Sequence, residues 1–113
     1  EEVAKLYPDT GNYIVVVGIE KCRRFNARVH DLMLESAQIP VERLDFPDTN
    51  ELAARSDQRN YWKFDYDATM ITDTAFFRNP HYHRASDTMD RLDYGFMAQL
   101  VKSLLNFFRS HGP

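Results

Sequence analysis

Runs of apolar residues and helical periodicities alternate along the chain, and each predicts one element of secondary structure. Residues 13–17 are continuously apolar and rich in β-branched side chains, and Gly18 follows them. Such a run predicts a strand that is buried on both faces, inside a parallel or mixed sheet. Apolar residues then recur at helical spacing over 22–33, which predicts an amphipathic helix that ends near Ala37.

The middle of the chain predicts two further strands. Residues 41–46 form a short strand pattern before the turn-rich stretch 47–50. Residues 61–64 predict a helical turn. Residues 68–75 (ATMITDTA) are apolar and threonine-rich and predict the third strand, and the loop 78–88 follows it directly.

The last part of the chain predicts a long amphipathic helix. Asp90 and Asp93 place negative charge where this helix begins, which suits the helix dipole. Lys102 and Arg109 lie toward its other end, and 111–113 read as a stop signal. We expect its apolar positions to form one stripe that belongs to the core. These positions are Phe96, Met97, Leu100, Val101, Leu104, Leu105 and Phe108.

The order of the predicted elements is β-α-β-(α)-β-loop-α, which indicates an α/β protein whose sheet carries helices on its faces. A length of 113 residues predicts one domain over 1–113. Hydrophobic residues are 43% and charged residues 27%, which is typical of a globular chain.

Charge and hydropathy exclude several classes of function. A net charge of −3 leaves no basic surface for nucleic acid, so we expect no nucleic-acid partner. No apolar run reaches the roughly 20 residues of a membrane span, and the first residues do not resemble a signal peptide. We therefore expect a soluble protein. The single cysteine, Cys22, excludes an internal disulfide.

The loop 78–88, RNPHYHRASDT, holds His81 and His83 two positions apart, with Tyr82 between them. Open α/β sheets gather ligand sites at strand ends, and this loop leaves the end of a predicted strand. Neutral imidazole is a common metal ligand, and Asp87 is placed to orient one. The spacing alone leaves two alternatives open, a metal site and a turn whose side chains only hydrogen-bond to one another.

Three segments resemble, in order, the C-terminal part of the co-catalytic zinc aminopeptidases, metallopeptidase family twenty-eight of the bacterial leucyl aminopeptidase and aminopeptidase Y type. YPDTGNYIVVVG resembles a strand past the middle of their catalytic domain. SDQRNYW resembles their Ser-Asp-His-x-x-Phe/Trp block, and ITDTAFFRNPHYHRASDTMDRLDY resembles the segment around their Tyr-His-Thr-x-x-Asp-Thr core. The resemblance implies a three-layer α/β/α fold with a mixed sheet, the zinc-exopeptidase (phosphorylase/hydrolase-like) fold, of which this chain is the C-terminal part.

The resemblance also implies roles for individual residues. His83, rather than His81, matches the last zinc ligand of the family. Tyr82 matches a tyrosine whose hydroxyl stabilises the tetrahedral intermediate. Asp87 matches an aspartate that supports the zinc ligands without contacting the metal ion, and Asp57 matches one that lies near the site.

Two positions depart from the family pattern, because Gln58 stands where histidine is usual and Arg84 where threonine is usual. Simpler roles also stay open for three residues. Tyr82 can pack within the loop, Asp57 can cap the turn that follows it, and Asp87 can place charge before the last helix.

Most of the family's catalytic groups have no match in this chain. The reaction of the family uses two zinc ions and a glutamate general base, and all of the ligands except the last histidine come before the segment that matches Gly11. Glu1-Glu2 resembles the family's pair of glutamates only by coincidence, since that pair lies far upstream. Because a catalytic zinc site uses about three protein ligands, we expect weak or absent zinc binding by this chain alone.

These observations predict two classes of function. The first is a segment of an aminopeptidase that acts on peptide substrates once the missing N-terminal part of the catalytic domain completes its site. The second is a non-catalytic association domain or remnant. A fragment of a glutaminyl-cyclase-like acyltransferase is a third possibility, which Tyr82 disfavours because those enzymes tend to carry tryptophan there. The resemblance assigns no compartment, although many family members are exported.

Sheet geometry predicts association. The resemblance implies a sheet with more strands than this chain carries. One strand of this chain is then left with unpaired N–H and C=O groups, which are a template for another chain. We expect that open strand to be 13–17 or 68–75, since few charges or prolines interrupt either run. The chain is then expected to pair with a second copy, through strands or an exchanged C-terminal helix, or with a partner that supplies the rest of the sheet.

Overall fold

The computed structural model describes residues 10–111. Its strands and main helices are β1 (Ile14–Ile19), α1 (Arg23–Leu34), β2 (Val41–Phe46), α2 (Gln58–Trp62), β3 (Met70–Thr72) and α3 (Tyr94–His111). Short 3₁₀ turns cover Glu20–Cys22, Ala75–Phe77 and Met89–Arg91. The Glu1-Glu2 pair and the end of the predicted stop signal, Gly112-Pro113, lie outside the described residues. Between residues 10 and 111, none of the helices combines the length and apolar character that crossing a bilayer requires.

The three strands form one mixed sheet in the order β2-β1-β3. β1 and β2 are parallel, with Gly18 opposite Asp45, and β1 and β3 are antiparallel, with Val16 opposite Ile71. The predicted α/β class with a mixed sheet is therefore confirmed. The prediction that 13–17 is an open edge is wrong, because β1 is the central strand and is paired on both sides. β3, within the predicted 68–75, is an edge of the described sheet.

Both faces of β1 are covered, as the apolar run predicted. On one face Val16 packs with α1 and with Phe107 of α3 in a buried cluster. On the other face Val15 and Val17 pack with Leu44 of β2 and Met70 of β3. All six residues of β1 are buried, and fully burying a valine or isoleucine side chain contributes about 1.5–3 kcal/mol relative to exposure.

The third strand is shorter than predicted because side chains compete with the sheet for backbone hydrogen bonds. Thr72 Oγ1 accepts a hydrogen bond from the Thr74 N–H at 3.0 Å, and Asp73 Oδ1 accepts one from the Ala75 N–H at 2.8 Å. Thr74 adopts a left-handed backbone with φ 79°. These local bonds end β3 at Thr72 and start a turn. The helical turn predicted at 61–64 corresponds to α2, which begins three residues earlier, at Gln58, and ends at Trp62.

The last helix begins where the charge pattern predicted. Asp93 Oδ1 accepts a hydrogen bond from the Phe96 N–H at 2.9 Å and so caps the first turn of α3. Asp90 lies in the preceding 3₁₀ turn. On its inner side α3 packs against α1, with Phe107 edge-on to Phe25 at 6.3 Å between ring centroids. The Asn106 side chain donates a hydrogen bond to the Leu32 carbonyl at 2.7 Å.

The prediction that the whole apolar stripe of this helix is core is wrong. Leu100 and Leu104 pack against the buried cluster of α1, as expected, and Phe107, which was not predicted, is buried. The other side of the helix is exposed, because the described sheet and α1 cover only one flank. The exposed members are Met97, Val101, Leu105 and Phe108.

A buried amide ties the carboxyl ends of the two parallel strands together. Asn26 is 0% exposed, and its Nδ2 donates hydrogen bonds to Asp45 Oδ1 at 2.7 Å and to the Ile19 carbonyl at 3.4 Å. Gly18 makes room for this amide, since a Cβ at that position would overlap its atoms. The bond stabilises the fold because a buried amide without a partner costs about 1–3 kcal/mol.

We expect Gly18→Ala to lower the free energy of unfolding by about 2 kcal/mol, because the added methyl must displace the Asn26 amide from Asp45. Gly11→Ala is the matched control, since a Cβ there meets Arg78 at an ordinary contact distance of 3.5 Å. Urea denaturation of both variants measures the difference. Equal stabilities would contradict the close approach at Gly18.

Candidate functional site

The loop after β3 carries the predicted site residues, and Asn79 organises it. Asn79 Oδ1 accepts a hydrogen bond from the His81 N–H at 2.9 Å, and Asn79 Nδ2 donates one to Asp87 Oδ1 at 3.2 Å. The Asp87 N–H donates to the Arg84 carbonyl at 3.0 Å. The side chain of one asparagine therefore joins the two ends of the segment that carries both histidines.

His83 is exposed and stacked on its neighbour. The Tyr82 and His83 rings lie 3.9 Å apart between centroids, at an interplanar angle of 17°. His83 has a left-handed backbone with φ 57°. Among the described residues the His83 ring nitrogens make no hydrogen bond, and the residue is exposed.

His81 differs from His83 in its contacts. Its Nδ1 lies 3.0 Å from Ser86 Oγ, and the ring is only partly exposed. His81 thus makes its contact inside the loop. This agrees with the alternative in which the side chains of the turn only hydrogen-bond to one another. The assignment of the zinc-ligand role to His83 remains a prediction, and this difference in contacts favours it.

Asp87 stabilises the loop through its hydrogen bond from Asn79. Asp57 precedes α2, is exposed, and makes no capping hydrogen bond with its side chain. The capping alternative for Asp57 is therefore wrong. The predicted roles, support of the zinc ligands by Asp87 and a position near the site for Asp57, remain predictions.

Gln58, which stands where the family pattern has histidine, points into the protein. It is 6% exposed, and its Nε2 donates a hydrogen bond to the Ala53 carbonyl at 2.6 Å. A histidine ring N–H can donate to the same carbonyl, because both side chains end in a nitrogen donor. The departure at Gln58 therefore changes a packing residue, not a group that faces the loop.

Ring contacts join the residue just before the segment SDQRNYW to the segment that carries the histidines. The Arg55 guanidinium carbon lies 5.4 Å from the centroid of Phe76, and Phe76 lies 6.0 Å from Tyr82. Such cation–π contacts at exposed positions contribute about 0.5–1 kcal/mol. The segment that leads to Asp57 is thereby held beside the aromatic residue next to His83.

Arg78 anchors the same loop to the central strand, a role that sequence reasoning missed. Its guanidinium carbon lies 4.1 Å from the centroid of the Tyr13 ring. The guanidinium also donates a hydrogen bond to the Tyr13 hydroxyl. From the sequence, Arg78-Asn79-Pro80 was expected only to shape the turn, because no spacing rule connects Arg78 with a tyrosine 65 residues away.

The described residues do not form a metal site by themselves. Within residues 10–111, no group of three or more His, Cys, Asp or Glu side chains is arranged to hold a metal ion. The His83 imidazole is exposed and without a hydrogen-bond partner there, which suits one ligand. The chemistry of the donor set therefore fits a zinc ion only if further ligands come from outside the described residues.

No protein-family model matches the chain. It is 43% identical over 102 residues to a protein of Escherichia coli strain K12 described as the uncharacterized protein YfbL. The match takes in 88% of this chain and 31% of that protein. The chain thus spans about a third of the length of this relative.

A solved structure has a similar fold. The crystal structure of the Legionella pneumophila LapA aminopeptidase superposes with a TM-score of 0.67 at 23% sequence identity. The superposition covers 89% of this chain and 27% of the aminopeptidase chain. The protein therefore has the mixed α/β fold of the matched part of that aminopeptidase.

Proposed function

We propose that this chain contributes to the catalytic domain of a zinc-dependent aminopeptidase, in which His83 is one zinc ligand. The observation that carries the proposal is the His83 loop. An exposed imidazole, held in a left-handed backbone and stacked on Tyr82, lies in a chain whose fold is similar to part of an aminopeptidase. The resemblance of the loop sequence to the zinc-ligand segment of metallopeptidase family twenty-eight supports the same role.

The conformation of His83 supports a functional reading. A non-glycine residue in the left-handed region costs about 1–3 kcal/mol when the surroundings hold it there, and such residues cluster at functional sites. The hydrogen bonds of Asn79 on either side of His83 hold this turn. Stacking on Tyr82 further limits the ring rotations of His83, so less rotational freedom is lost when a ligand binds it.

Zinc, when bound, supplies a Lewis acid and an activated water for hydrolysis of the N-terminal peptide bond. This chain's own contribution is narrower. His83 supplies one neutral nitrogen donor. Tyr82, which is 37% exposed, would donate a hydrogen bond from its hydroxyl to the oxygen that becomes negatively charged during hydrolysis.

The remaining ligands and the general base are proposed to come from the rest of a longer catalytic domain. The chain spans 31% of its Escherichia coli relative, which leaves room for them. A non-catalytic association domain is the second candidate, and the exposed apolar side of α3 is the observation that favours it.

The first prediction of this assignment concerns strain at His83. We expect His83→Gly to be more stable than His83→Ala by about 1 kcal/mol, because glycine adopts a left-handed backbone without steric cost and alanine does not. Guanidinium denaturation of the two variants measures the difference. Equal stabilities would show that the left-handed turn is not retained in solution.

The second prediction concerns zinc and turnover by the chain alone. After dialysis, elemental analysis is expected to find much less than one zinc per chain, because roughly three protein ligands are needed for tight binding. With added zinc, chromogenic aminoacyl amides are expected to remain intact. Two tightly held zinc ions, or turnover that His83→Ala abolishes, would contradict the proposal that the site is incomplete.

The proposal itself is tested in a chimera in which this chain replaces the matched 102 residues of the Escherichia coli relative. We expect the chimera to hydrolyse aminoacyl amides and His83→Ala to abolish turnover. Tyr82→Phe should lower kcat by about 10²–10³-fold through loss of one oxyanion donor. His81→Ala is the matched control. An inactive chimera that binds no zinc, or equal losses for His81 and His83, would refute the proposed role.

A further inference from the structure

An open cleft lies in the segment that leads to α2. Its volume is about 510 Å³, and the side chains that line it are Glu51, Ala54, Arg55 and Arg59. Both arginines are exposed, and among the described residues neither guanidinium takes part in an ion pair. Two guanidinium groups and one carboxylate give the cleft a net positive charge. The cleft therefore suits a ligand that carries a negative charge.

The backbone that carries these side chains is held in place from both ends. Asn50 Oδ1 accepts hydrogen bonds from the Leu52 N–H at 2.9 Å and the Ala53 N–H at 3.2 Å. Ala53 is buried, and its carbonyl accepts a hydrogen bond from the Gln58 amide at 2.6 Å. Because the backbone of the cleft is already ordered, binding loses less conformational entropy than it would in a mobile loop.

Arg55 is also limited in its rotation by an aromatic ring. Its guanidinium carbon lies over the ring of Phe76, 5.4 Å from the centroid. A guanidinium presents its N–H donors in a planar fork that matches the two oxygens of a carboxylate. Arg59 adds a second guanidinium in the same cleft. A carboxylate is therefore a ligand that the cleft can bind through several charge-assisted hydrogen bonds.

Exposed aromatic rings connect the cleft with the His83 loop. Between ring centroids, Phe76 lies 6.0 Å from Tyr82, and Tyr82 lies 3.9 Å from His83. Both aromatic residues, Arg55 and His83 are exposed, so a ligand can approach all four from solvent. An extended peptide spans roughly 3.3–3.6 Å per residue. A peptide of about four or five residues is therefore long enough to reach from His83 to the Arg55 guanidinium.

We propose that Arg55 and Arg59 form a subsite for the carboxylate of a short peptide whose N-terminal end lies at His83. This carboxylate belongs to the free C-terminus or to an acidic side chain beyond the bond that is cut. The preferred substrates are then peptides that carry a negative charge a few residues after that bond. The inference rests on the proposed function for the placement of the N-terminal end at His83.

Glu51 lowers the affinity of this subsite, because its carboxylate lines the same cleft and repels the carboxylate of the ligand. Glu51→Gln is expected to tighten carboxylate binding about three-fold. Arg55→Gln and Arg59→Gln are each expected to weaken it about ten-fold. Arg28→Gln and Glu35→Gln change the net charge by the same amounts at exposed positions outside the cleft, and they are the matched controls.

Carboxylate binding is measured first in the isolated chain, where it requires neither zinc nor catalysis. The probes are acetyl-glycyl-glycine, its C-terminal amide, and acetyl-glutamyl amide, whose one carboxylate is on the side chain. The Nε–H signals of Arg55 and Arg59 are followed by nuclear magnetic resonance. Both signals are expected to shift with one or both acids and not with the neutral amide. The tighter acid identifies the source of the carboxylate.

Three results of this titration would overturn the inference. In the first, the neutral amide shifts the two signals as much as the acids do. In the second, Arg28→Gln weakens binding as much as Arg55→Gln. In the third, inorganic phosphate binds more tightly than either acid, which would identify a general anion site.

The chimera described above connects the subsite with turnover. Leucyl-triglycine is expected to have a kcat/KM about ten-fold higher than that of its C-terminal amide, and Arg59→Gln should remove this preference mainly through KM. Arg55→Lys, which keeps the charge, should retain part of it. An active chimera without the preference would overturn the subsite and leave the peptidase role intact. An inactive chimera, with carboxylate binding in the isolated chain, would refute the peptidase role and leave the carboxylate site intact.

Discussion

Burial of β1 on both faces and pairing on both of its edges is the constraint on which the rest of the structure depends. β2 and β3 pair only with β1 in the described sheet, and α1 and α3 pack over one of its faces. Gly18 has a special place in this arrangement, because its missing side chain lets the Asn26 amide reach Asp45. β1 thus determines where the carboxyl ends of the two parallel strands, β1 and β2, meet, and where the helices lie.

The candidate loop is attached to the central strand by the pairing of β3 with β1 and by one side chain at the start of the loop. Arg78 covers the Tyr13 ring just before β1 and hydrogen-bonds to its hydroxyl, which fixes the start of the loop after β3. Asn79 then closes the turn around the histidines. The His83 imidazole therefore stacks on Tyr82. Within the described part of the chain, its ring nitrogens make no hydrogen bond. That combination of a rigid backbone and a free donor atom is what a ligand position requires.

The same fold leaves a physical problem at α3. Its inner side completes the core with Phe107, and its outer side exposes large apolar residues. Contiguous apolar surface of this kind marks an interaction site in natural proteins. The two edges of the described sheet also differ, because β2 carries charged side chains and β3 carries none.

Local sequence pattern determined the elements whose signal is local. The continuous apolar run of β1, the helical spacing of α1 and the strand Val41–Phe46 were predicted with bounds close to those observed, and Asp93 caps α3 as its charge predicted. Tertiary structure decided the rest, because those features depend on neighbours that a spacing rule does not contain. Side-chain bonds from Thr72 and Asp73 shortened β3. The elements that pack beside α3 decide which side of its apolar stripe is core. Contacts within the loop decide which histidine makes a hydrogen bond there.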